Sequence, residues 1–173
     1  PDLFPMPIDL LELGDVILKG RHHLHSGDAE EVTPHRPGQK VHEYVDGLWV
    51  YRTKIAGLHS LTFDEEVSYG VRSIWTKVRK GARTNGHKGT HVRGYNTEAD
   101  FDRAVIKFLI ETQSAIGLEE NTQGKTRKYE SGSFTYEWRL NGDLGYFFGD
   151  ETILHNGQTA FGFHVLGSQN VYQ

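Results

Sequence analysis

The stretch SFTYEWRLNGDLGYFFGDETILHNGQTAFGFHVL, Ser133 to Leu166, decides the fold class. Phe134, Tyr136 and Trp138 occupy alternate positions, and Phe161, Phe163 and Val165 do so at the far end. A period of two marks strands with one face buried. Asn141-Gly142 and Asn156-Gly157 punctuate the runs. Asn-Gly favours the tight hairpin turn because both central residues must adopt positive φ. The C-terminal third is therefore expected to be an antiparallel meander.

Upstream, NTEADFDRAVIKFLIETQSAIG reads as the main helix. Asn96 or Thr97 can cap it, Glu98, Asp100 and Asp102 suit its positive end, and Gly117 can stop it. Phe101, Val105, Phe108, Leu109 and Ala115 or Ile116 form one apolar stripe. LEENTQGKTRKYESG is a polar connection to the meander. VHEYVDGLWVYRTKI predicts two strands around Asp46-Gly47, and LHSLTF a further one. Alternation of Val67, Tyr69, Val71, Ser73 and Trp75 predicts a strand that delivers the chain into a loop over 79–96. Pro1, Pro5 and Pro7 predict an extended segment over 1–13, DVILKG a short strand, and the aperiodic residues 21–39 a long loop. The expectation is one α+β domain over 1–173, with an antiparallel sheet of about five to seven strands packed against one main helix. No internal repeat is visible in the sequence.

Composition narrows the function classes. At 173 residues the chain suits one domain, and its nine Phe, eight Tyr and three Trp can fill a core that is otherwise poor in aliphatics. Twenty Gly imply many tight turns. The absence of cysteine excludes a disulfide scaffold, a thiolate zinc site and a cysteine nucleophile, and fits either redox compartment. No apolar run approaches the roughly 20 residues that span a bilayer, so a soluble protein without a membrane partner is expected. The opening PDLFPMPIDLLEL, without an initiator Met, reads as an excised domain or processed product, which leaves the localisation open.

Charge supplies the functional lead. KVRKGARTNGHKGTHVRGY, Lys77 to Tyr95, holds six Lys or Arg and two His without an acid, in a chain of formal net charge −4. The acid-free interval runs from Val67 to Thr97 and adds Arg72. Seven of the 19 Lys and Arg lie there, leaving 12 against all 23 acids, so the rest of the chain carries −11. Such a local field suits RNA or another polyanion. Gly81, Gly86 and Gly89 would let backbone N–H groups approach phosphate, and the helix starting near Thr97 directs its positive end to the same region. His87 and His91 can give and take protons near neutral pH, as metal-free RNA cleavage requires. One would draw the proton from the ribose 2′-hydroxyl while the other protonates the leaving oxygen, and Arg83, Lys88 or Arg93 would stabilise the phosphorane. Tyr95 would orient phosphate or stack on a base, while Arg72, Lys77, Arg79 and Lys80 would hold the strand. No cofactor is implied.

Two readings from other classes stand beside this metal-independent, ribonuclease-like one. The same patch suits a non-enzymatic interaction domain, of viral or toxin-associated type, that contacts an acidic protein partner. RHHLHSGDAEE places His23 and His25 in a His-x-His pair with Glu30 beyond them. This resembles the first motif of the cupin family, and the resemblance implies a divalent metal on those three residues inside a small β-barrel. HEY, His42 to Tyr44, ahead of basic strand residues is locally similar to microbial guanyl-specific ribonucleases.

Overall fold

The computed structural model describes residues 9–84, 94–118 and 124–170. The chain runs α1 (Leu10–Ser26), β1 (Glu30–Val32), β2 (Gln39–Asp46), β3 (Trp49–Gly57), β4 (Ser60–Tyr69) and β5 (Arg72–Arg83). It continues through α2 (Glu98–Ile116), β6 (Arg127–Ser131), β7 (Phe134–Asp143), β8 (Tyr146–His155) and β9 (Gln158–Gln169). All nine strands form one antiparallel sheet in the order β1-β2-β3-β4-β5-β9-β8-β7-β6. Both helices lie on one face of it. The α+β class and the C-terminal meander are as the periodicity indicates, with more strands than expected, but Asn141-Gly142 lies within β7 and the turn to β8 falls at Leu144-Gly145. No described helix is long and apolar enough to cross a membrane.

The N-terminal region departs most from its sequence reading. Residues 10–13, expected extended, open α1, and residues 21–26, expected in a loop, close it. The prolines end at Pro7, ahead of the N-cap Asp9, whose carboxylate accepts from Leu11 N at 2.9 Å. From there Leu13, Val16, Ile17, Gly20, Arg21 and Leu24 recur at helical spacing, and all are buried. The adjacent Val16 and Ile17, which suggest a strand in isolation, sit side by side on this stripe. Gly27 ends the helix at φ 85°, where a side chain would strain the backbone. Two further expectations shift. Residues 79–83 continue β5 rather than opening a loop, and the alternation from Val67 to Trp75 spans a turn. Val67 and Trp75 are register partners on neighbouring strands, and Val71 is fully exposed between them.

The topology contains a repeat that the sequence does not display. Helix α1 is followed by the meander β2 to β5, helix α2 by the meander β6 to β9, and the two meanders join through β5 and β9. β1 is an additional edge strand. The halves also agree in register. Tyr51 lies opposite Val67 and Tyr136 opposite Ile153, in each case two residues beyond a buried glutamate, Glu65 or Glu151. Each tyrosine hydroxyl donates diagonally to its glutamate.

These glutamates anchor an ionic cluster between helices and sheet. Arg21 on α1 donates to both Glu65 oxygens, at 2.8 and 2.9 Å, and to Gly117 O at 3.0 Å. Gln113 on α2 donates to Glu65 at 2.9 Å. Arg79 is bidentate on Glu151, and its guanidinium lies 5.1 Å from the Phe63 ring centre. Lys77 Nζ lies between the carboxylates, 4.0 Å from Glu65 and 3.9 Å from Glu151. All five charged side chains are fully enclosed. Burial raises the Glu65 carboxyl, yet Arg21, Lys77 and Arg79 outweigh it and hold the group at about 2. Glu151 is likewise lowered by Arg79 and Lys77 against the burial effect. Burial, then the neighbouring glutamates, push both tyrosines well above their ordinary value.

Three measurements test this core. Gly20 faces Tyr51 so closely that a Cβ would overlap its ring. Gly20→Ala is therefore expected to lower stability by about 1–3 kcal/mol in urea unfolding. Glu65→Gln leaves three buried cations facing one carboxylate and should cost about 3–5 kcal/mol. The pH profile should fall at both ends. The Glu65 contribution, complete above its ordinary 4.5, disappears as pH falls through about 2. Stability also declines above about pH 10, where tyrosine in the unfolded chain ionises and these two cannot. Unfolding free energies across that range would show a plateau between the two declines, with the acid decline reduced in Glu65→Gln.

Candidate functional site

From Trp75 onward β5 alternates, so Trp75, Lys77, Arg79 and Arg83 enter the core while Val78 and Lys80 face solvent. Lys77 and Arg79, expected to hold a polyanion, are thereby enclosed and matched to Glu65 and Glu151. Arg83, expected to stabilise a phosphorane, is only 5% exposed. Its Nε lies 2.9 Å from Asp102 Oδ1 and its Nη2 3.2 Å from Glu98 Oε2. Burial pushes the Asp102 carboxyl up, while Arg83 and His59 draw it down. Arg72 and Lys80 are exposed. His87, Lys88, His91 and Arg93 lie outside the described residues. Among the described residues, four buried cations (Arg21, Lys77, Arg79, Arg83) stand against three buried carboxylates (Glu65, Asp102, Glu151). From a total of −4, that leaves −5 for the rest of the chain.

The place where the basic stretch leaves and rejoins the body is well defined. Thr84 N donates to Ala160 O at 2.8 Å, and Arg83 N to His59 O at 2.8 Å, which fixes the exit from β5. The chain is described again from Gly94, and Tyr95 packs edge-on against Phe101 at 5.3 Å. Thr97 then caps α2, accepting from Asp100 N at 3.1 Å. The positive end of this helix is answered by Glu98 and Asp102, which Arg83 holds in turn.

Beside Tyr95 opens a pocket of about 530 Å³ lined by Gly94, Tyr95, Ser133, His155 and Asn156. His155 ends β8, is 5% exposed, and has its ring among Tyr95, Phe101 and Phe134 at 5.9, 5.2 and 5.1 Å. Asn156, at φ 50°, donates its N–H to Ser133 O at 2.8 Å and ties the β8–β9 turn to the β6–β7 turn. The pocket thus combines an aromatic wall, an imidazole and polar groups within the size range of small-ligand sites. Among the described residues, Tyr95 is the one sequence-derived candidate that lines it. His155 and Ser133 carry no local signal, since their meeting with Tyr95 depends on three separate turns.

The metal expectation fares differently. His23 and His25 lie on the last turn of a helix rather than on a barrel strand, so the cupin resemblance does not extend to the fold. His23 stacks on Tyr44 at 4.2 Å, and Glu30 stands on the edge strand β1. Among the described residues, no group of three or more His, Cys, Asp or Glu is arranged to hold a metal ion.

No curated protein and no solved structure matches the chain. One family model does, over residues 64–169, from β4 to the end of β9. That span holds Glu65, Lys77, Arg79, Glu151, Tyr95 and His155 together, and the chain belongs to the family described as a domain of unknown function, DUF5680.

Proposed function

We propose that this domain is a nucleic-acid-directed module whose pocket beside Tyr95 and His155 takes one nucleotide of a single strand. The observation that carries this reading is the position of the pocket. It adjoins the point where an acid-free stretch bearing Lys88 and Arg93 returns to the body of the protein. The Tyr95 ring offers a stacking surface, the Ser133 hydroxyl offers a hydrogen bond, and the loop cations supply phosphate contacts. In its most concrete form the reading is metal-independent phosphodiester cleavage, with His87 and His91 exchanging protons at the 2′-hydroxyl and the leaving oxygen. Arg83 has no part in it, because Glu98 and Asp102 already engage its guanidinium.

Fluorescence anisotropy with labelled single-stranded RNA tests binding. Each phosphate contact contributes about −0.7 to the slope of log K against log salt, so Lys88→Gln with Arg93→Gln should flatten it by roughly 1.4. Tyr95→Ala should weaken binding about tenfold while Tyr95→Phe retains it, as expected for a stacking ring. Replacing Lys125, Arg127 and Lys128 with Gln should change little, since Glu130 is near that cluster in sequence. Cleavage unaffected by chelator and lost in His87→Ala and His91→Ala would establish the enzymatic form. Absence of RNA binding at low salt overturns the proposal.

A further inference from the structure

The sheet face opposite the helices bears an ordered patch at its centre. Val78 on β5, Leu166 on β9 and Phe148 on β8 are register partners in one row across three strands. They are 44%, 53% and 48% exposed, and Tyr146, at 58%, extends the apolar surface toward the end of β8. The adjoining row, also in register, reads Lys80, His164, Asp150 and Arg139 across β5, β9, β8 and β7. His164 Nδ1 lies 2.8 Å from Asp150 Oδ1, and both side chains are largely exposed. No described helix covers this face, since α1 packs on β2, β3 and β4 and α2 on α1, β6 and β7.

We infer that a second copy of this chain covers the patch, with the two sheets packed face to face about a two-fold axis along β9. The pattern is self-complementary about that line, as an isologous contact requires. Such an axis lays β5 of one copy over β8 of the other. Lys80 then meets Asp150 and Asp150 meets Lys80, which places two opposite-charge pairs on either side of the axis. In the next row Val78 meets Phe148 twice, and Leu166 meets its own copy at the centre. A heterologous partner has no reason to find cation and anion spaced symmetrically around one strand, with apolar residues spaced in the same way beside them. Face-to-face sheets lie about 10 Å apart and cross at roughly 30°, so rows nearest the axis stay in register while outer rows diverge. The apolar row supplies the area removed from water, and the charged row fixes which strand lies over which. Lys80, exposed and in the basic stretch, is thereby given a partner in the second copy. The inference is independent of nucleic-acid binding at the Tyr95 pocket.

Sedimentation equilibrium of the whole chain tests it. The expected result is a dimer at micromolar concentration. Leu166→Asp, which sets two carboxylates against each other at the axis, should yield a monomer with unchanged circular dichroism. Lys80→Glu and Asp150→Lys should each raise the dimer dissociation constant about tenfold or more, and the two combined should restore it. Wild-type protein that remains monomeric at about 100 μM, well above the range of specific dimers, overturns the inference. So does a dimer that survives Leu166→Asp, or single charge reversals that weaken association without rescue in the double variant.

Discussion

Lys77 sits between Glu65 and Glu151, and the arrangement of the molecule depends on satisfying those two carboxylates in a place water does not reach. Burying five charged groups is costly, and the cost is recovered only where every group has close, well-directed partners. The partners come from α1 through Arg21, from α2 through Gln113, from β3 and β7 through tyrosine hydroxyls, and from β5 through Lys77 and Arg79. The cluster therefore ties both helices to both meanders. An apolar core of similar volume would hold the layers together without dictating how they meet. The ionic one admits a single placement of α1 over β4, because Arg21 must reach Glu65 with Gly20 lying against Tyr51.

The repeated topology explains how such a core is built. Each half supplies a glutamate on its third strand and a tyrosine on its second, at the same register offset. The cationic supply is unequal. Glu65 draws on Arg21 and Lys77, while Glu151 draws on Arg79 and Lys77, and both strand cations come from the first half. The position of β9 matching Lys77 is Phe163, since Lys77 pairs with Glu65 as Phe163 pairs with Glu151. The second meander could not neutralise its glutamate without the cations of the first, and Glu65 in turn takes a hydrogen bond from Gln113 of the second half. The halves are thus mutually dependent, and the family match from residue 64 onward covers both glutamates while leaving Arg21 and Tyr51 upstream of it.

Internal neutralisation also reshapes the electrostatics on which function rests. Three cations of the acid-free interval are used inside the protein, so the exterior is more acidic than the total charge implies. The Arg83 pairing with Glu98 and Asp102 has a further effect. It fixes the end of β5 against the start of α2, and so sets where the basic stretch departs and where Tyr95 returns beside His155. The pocket is a consequence of that junction.

By itself the sequence determined what local periodicity encodes. The meander from Ser133 to Leu166, the helix from Glu98 with its Thr97 cap, and the α+β class were all legible, because alternation, capping and the Asn156-Gly157 turn act over a few residues. Helix α1 was not legible: in sequence its residues suggest an extended segment, a strand and a loop, since Gly20 and Arg21 interrupt its apolar stripe and have no meaning without Tyr51 and Glu65. The destination of the basic residues was decided by tertiary structure alone. Arg21 and Glu65 are separated by 44 residues, and Arg79 and Glu151 by 72. A run of cations looks the same in sequence whether its field reaches solvent or ends on a buried carboxylate. Coulomb energy depends on distance in space and on the local dielectric, and both are set only when the strands pair and the helices close over them.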